Sequence, residues 1–220
     1  MLSCRTFKEK MEIILASKSP RRKEILENLG VEFEIIVSQA DEDSDERDPA
    51  RLVRELALRK GRAVAEHVIK EKIHTGEDTY IISSDTVVAT AGDDAEILGK
   101  PRDLGDAKRM LRLLEGKSHF VHSGIAVIRL SSDGNITEAA DTESTAVEFL
   151  PMTESEIDFY VTHETVLDKA GAYAIQGIAS AWIRKIDGDY FNVVGLPTCK
   201  TFRLFKEAFG IEPKDIICKR

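Results

Sequence analysis

The sequence predicts an α/β or α+β protein built on a mixed sheet. Apolar runs of strand length alternate along the chain with amphipathic stretches of helix length, which interleaves the two kinds of element. Between residues 118 and 150 two strand-like runs are joined by a short turn, which adds antiparallel pairing. No low-complexity linker, internal repeat or break in composition divides the 220 residues, so the chain suits one large domain or two small lobes.

Ile13, Ile14 and Leu15 read as the end of a buried strand, Ser17 to Ser19 as a polar loop, and Pro20 as the first helical residue after a serine cap; the helix runs to Gly30. "VEFEIIVS" alternates Val31, Phe33 and Ile35 with polar partners as a half-buried strand does, and "DEDSDERDP" is an acidic loop. "PARLVRELALRKGRAVAEHVIKEK" is a long helix with Leu52, Leu56, Ala63 and Val64 near one face. "YIISSDTVVAT" is a buried strand interrupted by the polar Ser83-Ser84-Asp85-Thr86, and "AGDDAEILGKP" a turn and a returning strand. "DAKRMLRLLEG" gathers Ala107, Met110, Leu111 and Leu114 on one helical face and stops at Gly116. "SHFVHSGIAVIRL", the turn "SSDGN" and "STAVEFL" form the antiparallel pair. Thr153 and Glu156 have capping-box spacing and open the helix "EIDFYVTH"; a last helix runs from Pro197 to Gly210.

A composition of 42% apolar and 32% charged residues describes a soluble globular chain. Its net charge of −8 argues against nonspecific attachment to nucleic acid or to an anionic membrane, because both require a broad basic field. No apolar run approaches a bilayer span, and "MLSCRTFKEK" lacks an apolar signal core, so a cytoplasmic location is expected. Cys4, Cys199 and Cys218 are odd in number and without C-x-x-C spacing, which fits a reducing compartment. Met11 is an alternative start, leaving residues 1–10 as an N-terminal arm.

Several positions stand out chemically. Arg21, Arg22 and Lys23 lie in the first turn of a helix, where the dipole makes each exposed cation unfavourable by roughly 0.3–1 kcal/mol. Either a strongly anionic group binds there or the long stems lie along apolar surface with their heads in water. Asp85 interrupts an apolar strand and therefore has to be paired, hydrogen-bonded, at a strand end or bound to a metal. Glu42 lies in an acidic run that, taken alone, reads as a solvated loop. Lys60 carries no signal alone, while Lys100, between Gly99 and Pro101, sits where rigid backbone can fix it. His119 and His122, three apart in a strand, point to opposite faces and do not form a metal pair. "DKAGAYAIQG" sets Asp168, Lys169 and Gln176 among small residues that let backbone approach a ligand.

"LASKSPRRKEIL", "SSDTVV", "GKP", "AKRMLRLLEGKSHFVHSGIAV", "DKAGAYAIQG" and "GDYFNVVGLP" occur in the order and nearly the spacing of the Maf family of nucleoside triphosphate pyrophosphatases, which the chain resembles over most of its length. The resemblance implies a mixed, elongated sheet in two lobes around a deep cleft, similar to the inosine triphosphate pyrophosphatases, in a single domain over residues 11–220 that forms a homodimer. It also implies hydrolysis of a nucleoside triphosphate between the α- and β-phosphates. "AYAIQG" with "GDYFNVVGLP" resembles the branch acting on dTTP and UTP, with CTP or modified pyrimidine nucleotides as further substrates. The branch acting on 7-methyl-GTP typically carries Glu in place of Gln176, and the family is also associated with septum formation in dividing bacteria, which makes a nucleotide-binding regulator the reading from another class.

By the same resemblance, Ser17, Arg21 and Arg22 bind the triphosphate, and Asp85 is the proton acceptor. Glu42, Lys60 and Lys100 are the acidic and basic cleft residues of the catalytic machinery, and Arg21, Thr86 and Gln176 set specificity. Asp85 and Glu42 offer hard oxygen ligands for a divalent cation, Mg²⁺ or Mn²⁺, and either can take a proton from water. A glutamine amide presents the donor and acceptor that match a uracil or thymine edge. Two departures from the family pattern are Gly61, where many relatives have Ala, and a lengthened hairpin turn at "AGDDAE".

Overall fold

Hydrophobic alternation lays out a mixed sheet flanked by helices. The computed structural model describes residues 11–71, 73, 77–92 and 94–218; the N-terminal arm expected at 1–10, with Cys4, lies outside the described residues. In chain order the main elements are β1 (Glu12–Leu15), α1 (Pro20–Leu29), β2 (Glu34–Ile35), α2 (Pro49–Lys70), β3 (Thr79–Thr90), β4 (Ile97–Leu98), α3 (Leu104–Leu114), β5 (Ser118–Leu130), β6 (Ile136–Phe149), α4 (Glu154–His163), β7 (Ile183–Asp187), α5 (Tyr190–Val194), α6 (Thr198–Phe209) and α7 (Pro213–Ile216). Two 3₁₀ turns, Ala170–Ala172 and Ile178–Ala181, precede β7.

The described strands form one sheet in the order β2-β1-β3-β5-β6-β7, with β4 on the edge of β3. β1 runs parallel to β2 and β3, and the remaining pairs are antiparallel, so the mixed sheet expected from sequence is observed. Along β3 and β5 the register is unbroken from Thr79 opposite Leu130 to Thr90 opposite His119, with Asp85 opposite Gly124.

β3 threads two cores. Tyr80 and Ile82 pack with Leu26, Leu196 and Phe205 under α1 and α6, whereas Val88 packs with Leu111, Leu114 and Tyr160 under α3 and α4. A third cluster, with Val64, Val68, Ile81 and Ile128, lies under α2 on the other face. The α2 helix comes very close to the sheet: a Cβ on Gly124 would stand 2.0 Å from the Val53 carbonyl oxygen. Gly61, the departure from the family pattern, faces Ser83 and Ile128, where a Cβ would meet the Ser83 hydroxyl at 2.8 Å.

Four expectations change in detail. β2 is only two residues long, because Ile35 is exposed while the neighbouring Ile36 packs under α2, which breaks the alternation. The buried stripe of α2 runs through Val53, Leu56, Ala57, Gly61, Val64 and Val68, with Leu52 and Ala63 at its margin. β6 begins at Ile136, well before its apolar end, since its polar half is held by backbone pairing to the apolar β5. Ser19 occupies the N-cap of α1, but its hydroxyl makes no capping hydrogen bond. The helical face Ala107, Met110, Leu111 and Leu114 is buried as expected, and Thr153 with Glu156 forms the capping box. His119 and His122 point to opposite faces, toward Tyr173 and Ser144 respectively.

Candidate active site

The edge of β3 explains where a ligand can enter. β1 covers Thr79 to Ile82 and β4 covers Val88 and Ala89, so among the described residues Ser83 to Val87 have no strand partner on that side. A cleft of about 390 Å³ opens at this gap, past the C-terminal ends of the parallel pair β1 and β3, the usual place for a ligand in an open α/β sheet. Its walls draw on both cores, Ile175 and Val194 from one and Val88, Val121 and Tyr173 from the other. Ser17, Arg21, Arg22, Glu42, Lys60, Asp85, Thr86, Lys100 and Gln176 all line it, so every site residue singled out in the sequence reaches one cavity.

The polar break in β3 is fully occupied. Ser83 Oγ donates to the Ala57 carbonyl at 2.7 Å and Ser84 Oγ to the Gly195 carbonyl at 3.2 Å, while Thr86 Oγ1 lies 2.8 Å from Ser123 Oγ. Asp85 accepts from Lys60 Nζ at 2.5 Å, and the same ammonium is 2.9 Å from Glu42 Oε1. Lys60, on the fourth turn of α2 and 12% exposed, therefore draws a strand carboxylate and a loop carboxylate together.

The acidic run resolves into one inward residue and a solvated remainder. Arg59 donates to the carbonyls of Asp41 at 3.0 Å and Asp43 at 2.7 Å, bracketing Glu42 and turning it into the cleft. Burial alone would raise the Glu42 pKa, but the Lys60 hydrogen bond and the charges of Lys60, Lys100 and Lys18 hold it below the ordinary value. Arg59 and Lys18 were not singled out in the sequence. A signal for Lys18 existed in its place between Ser17 and Ser19 ahead of an uncapped helix; Arg59 looked like any exposed helical arginine.

The three cations of α1 separate. Lys23 pairs with Glu27 on the outer surface at 3.6 Å. Arg22 turns inward: its Nε donates to Gly195 O at 2.8 Å, Nη1 to Ser84 O at 2.6 Å and to Ser17 Oγ at 3.3 Å, and Nη2 to Thr86 Oγ1 at 3.1 Å. It thus fills the unpaired β3 edge with its own donors, and burial lowers its pKa while the Asp85 charge acts the other way. Arg21 reaches across the cleft mouth to Asp168 Oδ2 at 3.3 Å. Asp168 is shared with Lys169 at 2.8 Å; burial raises its pKa, but Lys169 and then Arg21 bring it below the ordinary value. Gln176 is exposed on the same wall, and its amide makes no hydrogen bond among the described residues.

Six cations (Lys18, Arg21, Arg22, Lys60, Lys100 and Lys169) thus face three carboxylates, Glu42, Asp85 and Asp168, in a chain of net charge −8. Such a local positive field, beside the free N–H groups of α1, suits a polyanion with several phosphate oxygens. No cluster of three His, Cys, Asp or Glu side chains arranged for a metal ion occurs among the described residues. Glu42 and Asp85, both within reach of one ammonium, do suit a cation that completes its shell with water and phosphate oxygens, the habit of Mg²⁺.

A family model described as Maf-like protein matches residues 12–208. The dTTP/UTP pyrophosphatase of Caldanaerobacter subterraneus subsp. tengcongensis is 44% identical over 92% of this chain and 91% of its own. That of Bacillus anthracis is 45% identical over 91% of this chain and 97% of its own. Among solved structures, the Staphylococcus aureus Ham1 protein covers 94% of both chains at 11% identity with a TM-score of 0.36. With a family match that runs from β1 to α6 and takes in every residue of the cleft, the chain belongs to the Maf-like protein family.

Proposed function

We propose that this protein hydrolyses dTTP and UTP to the nucleoside monophosphate and pyrophosphate. The observation that carries the reading is the Asp85–Lys60–Glu42 cluster, set among cations at the gap in the sheet. Attack of water on an α-phosphorus needs a proton acceptor beside the water and positive charge on the phosphate oxygens. Asp85 and Glu42 provide the acceptor, and Lys18, Lys60, Lys100 and Arg21 provide the charge. Arg22, with its donors engaged by Ser17, Ser84, Thr86 and Gly195, holds these walls together and adds its field. A divalent cation, Mg²⁺ or Mn²⁺, would be held by Asp85 and Glu42 and would supply further charge neutralisation at the phosphates.

The names of the relatives support the pyrimidine branch over 7-methyl-GTP and over a regulator without activity. So does Gln176, whose amide can match a uracil or thymine edge where a glutamate could not. The same reading makes residues 11–220 one catalytic domain, active as a cytoplasmic homodimer, with residues 1–10 dispensable.

The test is a panel of nucleoside triphosphates with Mg²⁺ or Mn²⁺ and identification of the products. dTTP and UTP are expected to give monophosphate and pyrophosphate; orthophosphate and a diphosphate would overturn the reading. In the same assay Gln176→Glu places a second acceptor against a base carbonyl, and a mismatch of that kind lowers kcat/KM by about tenfold or more. Unchanged ratios among dTTP, UTP and 7-methyl-GTP would remove Gln176 from base reading.

Arg21 and Arg22 are expected to behave differently. Arg21→Ala raises KM with the melting temperature intact, because its ion pair with Asp168 is partly exposed. Arg22→Ala takes its donor from the Ser84 carbonyl and leaves the Gly195 carbonyl only Ser84 Oγ, which lowers stability by about 1–3 kcal/mol. Thermal melts beside steady-state kinetics separate the two, and equal melting losses would contradict this division.

A further inference from the structure

A second hollow opens beside the cleft, lined by Ile25, Leu29, Val194 and Phe191, and it shares Arg21 and Gln176 with the main cavity. A ligand gripped by Arg21 and read by Gln176 therefore continues directly into a recess where Ile25, Leu29, Val194 and Phe191 stand beside Glu24 and Asn28. Phe191 is 39% exposed there, so its ring is open to a planar partner.

The backbone that carries the ring is firmly anchored. Asp189 Oδ1 caps α5 by accepting from the backbone N–H of Phe191 at 2.7 Å and of Asn192 at 3.3 Å. The buried Asn192 Nδ2 donates to Val121 O and to Thr145 Oγ1, each at 2.9 Å, which fastens α5 to β5 and β6. Tyr190 contacts the Phe191 ring edge-on, with centroids 5.6 Å apart. An aromatic face kept exposed on so firmly anchored a short helix loses little freedom when a planar partner settles on it.

We propose that Phe191 is the surface on which the pyrimidine base stacks, while Gln176 reads the base edge and Arg21 marks the border with the triphosphate. The proposal rests on the nucleotide reading above and adds to it the place of the base. Stacking on a ring is tolerant of base identity, so Phe191 contributes affinity and Gln176 contributes choice.

The experiment compares two probes on the full chain: the non-hydrolysable α,β-methylene analogue of dTTP, which has a base, and inorganic tripolyphosphate, which has none. Phe191→Ala is expected to weaken the analogue about tenfold, as loss of a base–aromatic stack does, and to leave tripolyphosphate unchanged. Phe191→Tyr, which keeps the ring, is expected to bind both probes as the original protein does. Unchanged affinity for the analogue in Phe191→Ala, or equal weakening of both probes, would overturn the stacking role while leaving the pyrophosphatase reading in place. If the original protein binds neither probe, both readings fall together.

Discussion

Asp85→Asn is expected to leave the protein folded and to cut turnover of dTTP by about a thousandfold or more, within the range that a positioned proton acceptor contributes. The change is nearly isosteric. Lys60 keeps a partner in Glu42 at 2.9 Å, so the buried ammonium is not stranded and the sheet has no reason to rearrange. What is lost is a charge in the middle of the Ser83–Val87 stretch, where β3 faces the cleft without a neighbouring strand among the described residues. Pyrophosphate release measured beside a thermal melt checks this. Near-native turnover would take Asp85 out of the mechanism and leave Glu42 as the acceptor.

Gly124→Ala is expected to have the largest effect on stability. Its Cβ would stand 2.0 Å from Val53 O, 2.2 Å from the Val53 carbonyl carbon and 2.6 Å from Arg54 N, all of them backbone atoms that cannot give way unless α2 moves. Overpacking of this kind costs about 3 kcal/mol or more. For a chain of this size that lowers the melting temperature by roughly 10 °C. Because α2 carries Arg59 and Lys60, its displacement also loosens the bracket around Glu42, and activity falls below the melting range. Gly61→Ala is the informative comparison: there a Cβ meets only the side chains of Ser83 and Ile128, which can shift, so a small change in melting temperature is expected. Equal losses at the two positions would contradict the account of how α2 sits on the sheet.

Much of the layout was legible in the residues. The polar break in β3 and the apolar face of α3 depend on local alternation, which survives folding because each strand or helix buries one consistent side. The resemblance carried the nine site residues, which are scattered from Ser17 to Gln176 and meet only in the folded chain. From the residues without the resemblance, the selection of Glu42 from an acidic run was not legible, because it is made by Arg59 through main-chain carbonyls that any sequence would present. Nor was the inward turn of Arg22: its partners are two carbonyls and two hydroxyls from distant segments, brought together only where β3 lacks a neighbour. The early half of β6 was hidden for a related reason, since its polar side chains say nothing of the backbone bonds that β5 offers.

The uninterrupted pairing of β3 with β5 bears on how the cleft works. Both strands pass beneath the gap without a bulge, so bending the molecule between its two cores would mean breaking backbone hydrogen bonds around Asp85 and Gly124. A hinge there is costly, and the floor of the cavity behaves as a fixed spine. At the rim, by contrast, Arg21 and Asp168 hold each other across 3.3 Å through a partly exposed ion pair. A phosphate that takes Arg21 away from Asp168 exchanges one anion for another at the rim. Under the proposed function the grip on substrate would tighten by swapping partners, with Asp85, Lys60 and Glu42 already in place.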